Sequence, residues 1–443
     1  MGRATATDAR MFWLSLRVPS DQFLLYAFDG ETLDVDGLRR VLLDRARRIP
    51  GLVVRLRETP RCVDYPYWVA AEVSAESIRS TTPCTWDECL DRVAASFADQ
   101  VDARRLPWRL IVHPHVTGVS GSSGPATVIV LQVAHALADG RGASALARAL
   151  FTQTPTACVR TRTVPVPVAI LRGVVEAPVR AVSMVAAARA AMRADERRRV
   201  DTDAGSLPPP PMGRSLSTLS RPPGGRTQVR CVTVERTDLH SDIVSITVAA
   251  LTVVSVALSE YLSDRGDPVP DDLGAEVTVA IPSEQRTTDA HNAFHNAGVD
   301  LHPGEDDLRA RALAIGASVA ERRRRLAHPA FGAGDRATET VPAIVIRRNV
   351  QRADLGTTPT TVAGHTVVSS VNRGPADLAL DGRPVVLTAG FPALSPTVGI
   401  THGVHGIGEV VTLSIVTSDD VMDADAYTDC LRGAVDRVRE ALR

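Results

Sequence analysis

The stretch LQVAHALADGRG, residues 131–142, sets one histidine and one aspartate four residues apart, after an apolar run and before two glycines. Taken with the residues before it, TVIVLQVAH is apolar at nearly every position, the pattern of a strand buried on both faces. GASALARALF reads as the next helix, with Gly140 and Gly142 permitting a tight turn into it. His135 therefore stands where a buried strand ends, facing the space beyond the sheet. A neutral imidazole there can take a proton from a hydroxyl. Asp139 is read as structural, pinning the loop. The competing reading is a satisfied core histidine with Asp139 as a helix cap, and spacing alone does not separate the two.

Working outward, helix and strand patterns alternate on both sides of this stretch. Before it come a helix in DVDGLRRVLLDRARRIPGL, a strand in LVVRLRE, a helix in TWDECLDRVAASFADQV and a strand in LPWRLIVHPHV. Thr85 and Glu88 have capping-box spacing at the start of the second helix. Residues 1–155 thus predict a mixed α/β domain. Residues 156–226 change character: a helical, arginine-punctuated stretch, then the Pro/Gly/Ser run SLPPPPMGRSLSTLSRPPGG, read as a linker. From 227 to 443 the α/β alternation resumes.

Composition bounds the function classes. The chain has 443 residues, 44% hydrophobic and 23% charged, with a net charge of -1. That is a soluble globular balance with no basic face for nucleic acid. All 50 basic side chains are arginine. Cysteines at 62, 84, 89, 158, 231 and 430 form no CxxC pair and predict reduced thiols in a cytoplasmic protein. The N-terminus shows no signal-peptide core. The run IVSITVAALTVVSVAL falls short of the ~20 residues that a bilayer core needs and predicts a buried helix.

With these pieces in place, the chain resembles the superfamily of chloramphenicol acetyltransferases, condensation domains and plant acyltransferases, whose signature HxxxDG matches His135, Asp139 and Gly140. It is most similar to the bacterial wax ester synthase/diacylglycerol acyltransferase family. PSDQFLLY, RRIPGLVVRL, LPWRL, VTVAIPSEQR, HNAFHNAGVDL and VSSVNRGPADLALDGRPV resemble that family's segments in order. Three positions depart from it. Ala134 replaces the first of two histidines, Thr247-Val248 stands at an Asn-Asp motif, and HNAG replaces a Gly-Asn pair while keeping Asn296.

The resemblance implies two chloramphenicol-acetyltransferase-like domains packed around a central substrate tunnel. It implies an acyl-CoA-dependent O-acyltransferase that esterifies a lipid alcohol, either diacylglycerol or a long-chain alcohol. His135 would be the general base, Asn296 an oxyanion donor, and Arg286 the partner of Asp139. Acyl-CoA would be a co-substrate, with no cofactor and no metal. A carrier-bound acyl donor, as in polyketide or peptide assembly, and a degenerate lipid-binding homologue are the alternatives. Lipid substrates imply peripheral contact with a membrane or lipid droplet, for which the apolar, arginine-bearing 164–193 stretch is the candidate surface. A monomer or weak dimer is expected.

Other histidine and cysteine groupings carry less. HPH (His113, His115) and HGVH (His402, His405) have no third ligand at metal spacing, and Cys84 and Cys89 read as bystanders. The runs DERRRV and ERRRRL read as solvated helix ends. Trp108, in LPWRL, reads as a packing residue.

Overall fold

The computed structural model describes residues 2–152, 165–282, 290–357 and 359–443. In chain order the first half contains α1 (Ala6–Ser15), β1 (Gln22–Asp29), α2 (Val35–Arg48), β2 (Val54–Arg57), β3 (Tyr67–Ala70), β4 (Ile78–Ser80) and β5 (Cys84–Thr85). It continues with α3 (Trp86–Ser96), β6 (Trp108–Thr117), β7 (Ala126–Val133) and α4 (Gly140–Phe151). A long helix, α5 (Val166–Asp203), crosses to β8 (Thr227–Glu235), α6 (Arg236–Leu239), α7 (Ile246–Asp264), β9 (Gly274–Ala280) and β10 (Phe294–Asp300). Then come α8 (Leu308–Leu326), α9 (Pro329–Thr340), α10 (Ala343–Arg352), β11 (Thr366–Asn372) and β12 (Ala379–Leu380). The chain closes with β13 (Arg383–Phe391), β14 (Ile400–Ile407), β15 (Val410–Ser418) and α11 (Ala424–Leu442).

The strands build two large sheets. The first runs β12-β13-β1-β7-β6-β4, with β5 added beside β6; the second runs β10-β9-β11-β14-β15-β8. β1 pairs antiparallel with β7 on one side and β13 on the other. Strand pairing thus crosses the division at residue 227, since β12 and β13 complete the sheet that begins with β1. The reason is the short connection from β13 to β14, which ties the two sheets together. At this crossing the backbones nearly touch. A Cβ at Gly403 would lie 2.2 Å from the carbonyl oxygen of Gly390, so no side chain fits there.

Local rules account for most element boundaries. Thr85 and Glu88 form the capping box that starts α3. The apolar run at 243–258 falls largely in α7, whose core-facing residues Leu251, Val254 and Leu258 are fully enclosed by the second half. It is the one helix among the described residues long and apolar enough to cross a membrane, and 72% of that apolar window is buried inside the fold.

The ERRRRL end of α8 departs from the solvated reading. Arg322 and Arg325 are buried, and their guanidinium groups donate to the carbonyls of Pro209 and Pro208. The prolines of this run offer carbonyl acceptors but no N–H donors, and α8 supplies the donors for two of those carbonyls.

Candidate active site

β7 ends at Val133, and the chain makes one turn before α4. Within that turn the Leu137 N–H donates to the Ala134 carbonyl at 2.9 Å. His135 sits at the head of the turn, half-buried. Asp139 is the N-cap of α4: its Oδ1 accepts from the N–H groups of Arg141 and Gly142 at 3.1 and 2.8 Å. Its Oδ2 accepts from the Ala293 N–H at 3.2 Å, while the Asp139 N–H donates to the His291 carbonyl at 3.1 Å. One aspartate therefore starts the helix and clamps the 291–293 segment of the other half onto the histidine loop.

Gly140 is the first residue of α4 and has no positive φ, so a left-handed turn is not what its presence serves. Its bare side faces Val371 Cγ2 at 3.5 Å and Gln22 Oε1 at 3.9 Å from a notional Cβ. Gly142 is the crowded glycine, with Ala138 Cβ at 3.1 Å from such a position. The PSDQF and VSSVNRG segments therefore meet at this loop. Behind Val371, Ser370 and Thr247 share a hydroxyl hydrogen bond of 2.8 Å, so the residue at the Asn-Asp position also lies in this neighbourhood.

The orientation and tautomer of His135 are set by one asparagine. His135 Nδ1 lies 2.8 Å from Asn292 Oδ1. The Asn292 amide nitrogen donates to Asp8 Oδ1 and to the His135 carbonyl, each at 2.9 Å. Both partners are pure acceptors, so this nitrogen must be the NH2 group and Oδ1 must accept. His135 Nδ1 therefore carries the proton and Nε2 the lone pair. Among the described residues Nε2 has no hydrogen-bond partner. Phe294 lies beside the ring, centroids 5.6 Å apart. Burial pushes the imidazole pKa below its ordinary value, opposed by hydrogen bonds that the ring donates to the loop's own backbone and to Asn292 Oδ1. Asp8 anchors this whole arrangement through the N–H groups of His291 and Asn292, both at 3.1 Å.

Asn296 is placed elsewhere. It is exposed on β10 opposite Thr278, and its amide donates to the Glu276 carboxylate. The asparagine in contact with His135 is Asn292, four residues earlier. HNAFHNAG repeats the triplet HNA, and nothing in the sequence says which copy reaches the loop. Arg286 lies outside the described residues. Trp108 is buried and donates its indole N–H to the Leu52 carbonyl at 2.8 Å. His402 and His405 lie on opposite faces of β14. A cleft of about 610 Å³, lined by Trp86, Cys231, Val386, Val410 and Arg432 among others, does not include His135.

No protein-family model and no curated protein sequence matches the chain. Solved structures do, over its whole length. The fold is that of the two-domain condensation and acyltransferase enzymes. The wax ester synthase/diacylglycerol acyltransferase from Marinobacter aquaeolei VT8 matches with a TM-score of 0.64, 16% identity and 98% coverage of both chains. The trichothecene 15-O-acetyltransferase from Fusarium sporotrichioides gives 0.56 at 12% identity, covering 100% of this chain and 94% of that one. A starter condensation domain of rhizomide synthetase, in complex with C8-CoA and Leu-SNAC, gives 0.56 at 11% identity with the same coverage.

Proposed function

We propose that the protein is an acyl-CoA-dependent O-acyltransferase that esterifies a lipid alcohol, with His135 as the general base. The observation that carries this reading is the asymmetry of His135: Nδ1–H is fixed by Asn292, and Nε2 has a lone pair and no partner among the described residues. The acceptor hydroxyl gives its proton to Nε2 as its oxygen attacks the thioester carbonyl. The tetrahedral intermediate collapses, the C–S bond breaks, and the imidazolium returns the proton to the leaving coenzyme A sulfur. No covalent enzyme intermediate is required. General base catalysis of this kind is worth ~10²–10⁴-fold. Asn292 spends both amide hydrogens on Asp8 and the His135 carbonyl, so it is a positioning residue and not the oxyanion donor.

A lipid acceptor is supported by α5. Leu171, Val175, Val179 and Val182 follow one another at helical spacing and are each more than 60% exposed. A stripe of this size facing solvent suits the boundary between headgroups and acyl chains. Both donor and acceptor are tested by measuring coenzyme A release from palmitoyl-CoA with diacylglycerol, hexadecanol and short alcohols. Release dependent on a lipid alcohol supports the reading. Release only from a carrier-protein or N-acetylcysteamine thioester would shift it to a condensation-type enzyme.

A further inference from the structure

Three side chains outside the acyl-transfer site meet at the far end of the first sheet. Cys84 lies on β5, Cys89 on the first turns of α3 and His113 on β6. All three are buried, and their ligand atoms lie within 4.8 Å of one another. They form the one such grouping of three among the described residues. A tetrahedral zinc, with Zn–S ~2.3 Å and Zn–N ~2.0 Å, places neighbouring ligand atoms roughly 3.5–3.8 Å apart. Binding would draw the three ligand atoms closer together. In the sequence these residues had no metal spacing; a parallel β5–β6 pairing, Cys84 opposite Val116, brings them together.

The second observation is the orientation of His113. Its Nδ1 lies 2.9 Å from Thr81 Oγ1, whereas its Nε2 is buried without a hydrogen-bond partner. A buried polar atom left unmatched needs a physical reason. An imidazole whose Nδ1–H donates to a hydroxyl presents an Nε2 lone pair, and that is how metal-bound histidines are fixed from behind.

We propose that Cys84 Sγ, Cys89 Sγ and His113 Nε2 supply three of the four ligands of a tetrahedral site for a borderline-soft divalent cation of the zinc class. Two thiolates and one imidazole select against calcium and magnesium, which take oxygen ligands. Binding exchanges two thiol protons for the cation and involves no change of oxidation state. The site is remote from the chemistry: His113 pairs with Val128, five residues back along β7 from Val133, or about 17 Å at strand rise. Its place in the fold gives it a use. It fastens β5 and α3 to β6, and α3 in turn packs on β8 of the other half through Leu90, Val93 and Val229. Asp91 of α3 also pairs with Arg230 at 3.0 Å. The cation would brace the contact between halves.

Cobalt(II) titration of the reduced, chelator-treated full chain tests this. The expected result is thiolate-to-cobalt charge-transfer absorption with the intense visible bands of tetrahedral cobalt. These bands should saturate at one cobalt per chain and be displaced by zinc, with a melting temperature that rises with added zinc. Cys84→Ser and His113→Ala should abolish the bands, and Cys430→Ser should keep them. Should the variants not fold, zinc K-edge fine structure of the loaded wild-type protein decides, with a shell of two sulfurs plus nitrogen expected. Absence of the charge-transfer bands in folded, reduced wild-type protein, or a shell of nitrogen and oxygen alone, would overturn the proposal.

Discussion

His402 lies on a buried strand of one large sheet and His135 two residues past the end of a buried strand of the other, and their surroundings differ in kind. His402, on β14, is spent on both sides: Nδ1 lies 2.8 Å from Thr366 Oγ1 and Nε2 lies 2.8 Å from the Tyr427 hydroxyl. Its enclosure drives its pKa down to about 3, so it stays neutral as a fixed strut between β11, β14 and α11. His135 has one nitrogen fixed and the other without a partner among the described residues, at a half-buried turn. Burial lowers the pKa of both. What separates His135 from His402 is a nitrogen left without a partner among the described residues, on a ring that is not fully enclosed; His113 shares the asymmetry but is buried throughout.

Substitutions can break this contrast. His135→Ala is expected to lower acyl transfer by ~10²-fold or more while the melting curve stays close to wild type. Circular dichroism and coenzyme A release on the same preparation check both halves of that statement. Full activity in the folded variant would remove His135 from the mechanism.

Trp108→Ala should act in the opposite way. Its indole fills the first core and its N–H is satisfied by Leu52, so the loss should be ~3–5 kcal/mol of stability in denaturant melts. The ratio of rates with short and long alcohols should stay unchanged. A folded Trp108→Ala that switches alcohol preference would place this residue at the substrate.

His402→Ala sharpens the comparison from the structural side. Removing a ring that satisfies Thr366 and Tyr427 should cost about 3 kcal/mol, with the turnover of the folded fraction unaltered. Asp139→Asn is smaller. Asparagine caps a helix as well as aspartate does, but its NH2 would face the Ala293 N–H, donor against donor. A loss of about 1–2 kcal/mol and a parallel fall in activity are expected from thermal melts and initial rates. Activity that collapses at unchanged stability would give Asp139 a direct chemical role.

Much of this was legible in the sequence, because local rules decide it. The nearly all-apolar 126–133 run and the Thr85–Glu88 capping box follow from residue type and spacing, whereas spacing leaves the Asp139 cap as one of two open readings. The pieces that meet around His135 were also present as short segments, from Gln22 near the start to Val371 near the end. What escaped depends on long-range register. Asn292 and Asn296 have the same local context, and only the placement of β10 beside β9 decides which one reaches the loop. Asp8, in an N-terminal helix, gave no signal because its partners lie more than 280 residues away. The return of β13 to the first sheet was hidden for the same reason, as strand pairing leaves no mark on composition.

The most direct test of the central claim is the protonation of His135 itself. In ¹⁵N-histidine-labelled protein, assigned by the His135→Ala variant, the signal should report the Nδ1–H tautomer at neutral pH. Nε2 should titrate below the ordinary histidine value of ~6.5. Only the neutral ring can accept a proton, so a lowered pKa moves the acid limb of kcat/KM to lower pH, and that limb should coincide with the NMR titration. An Nε2–H tautomer, or a titration above the ordinary value, would contradict the account.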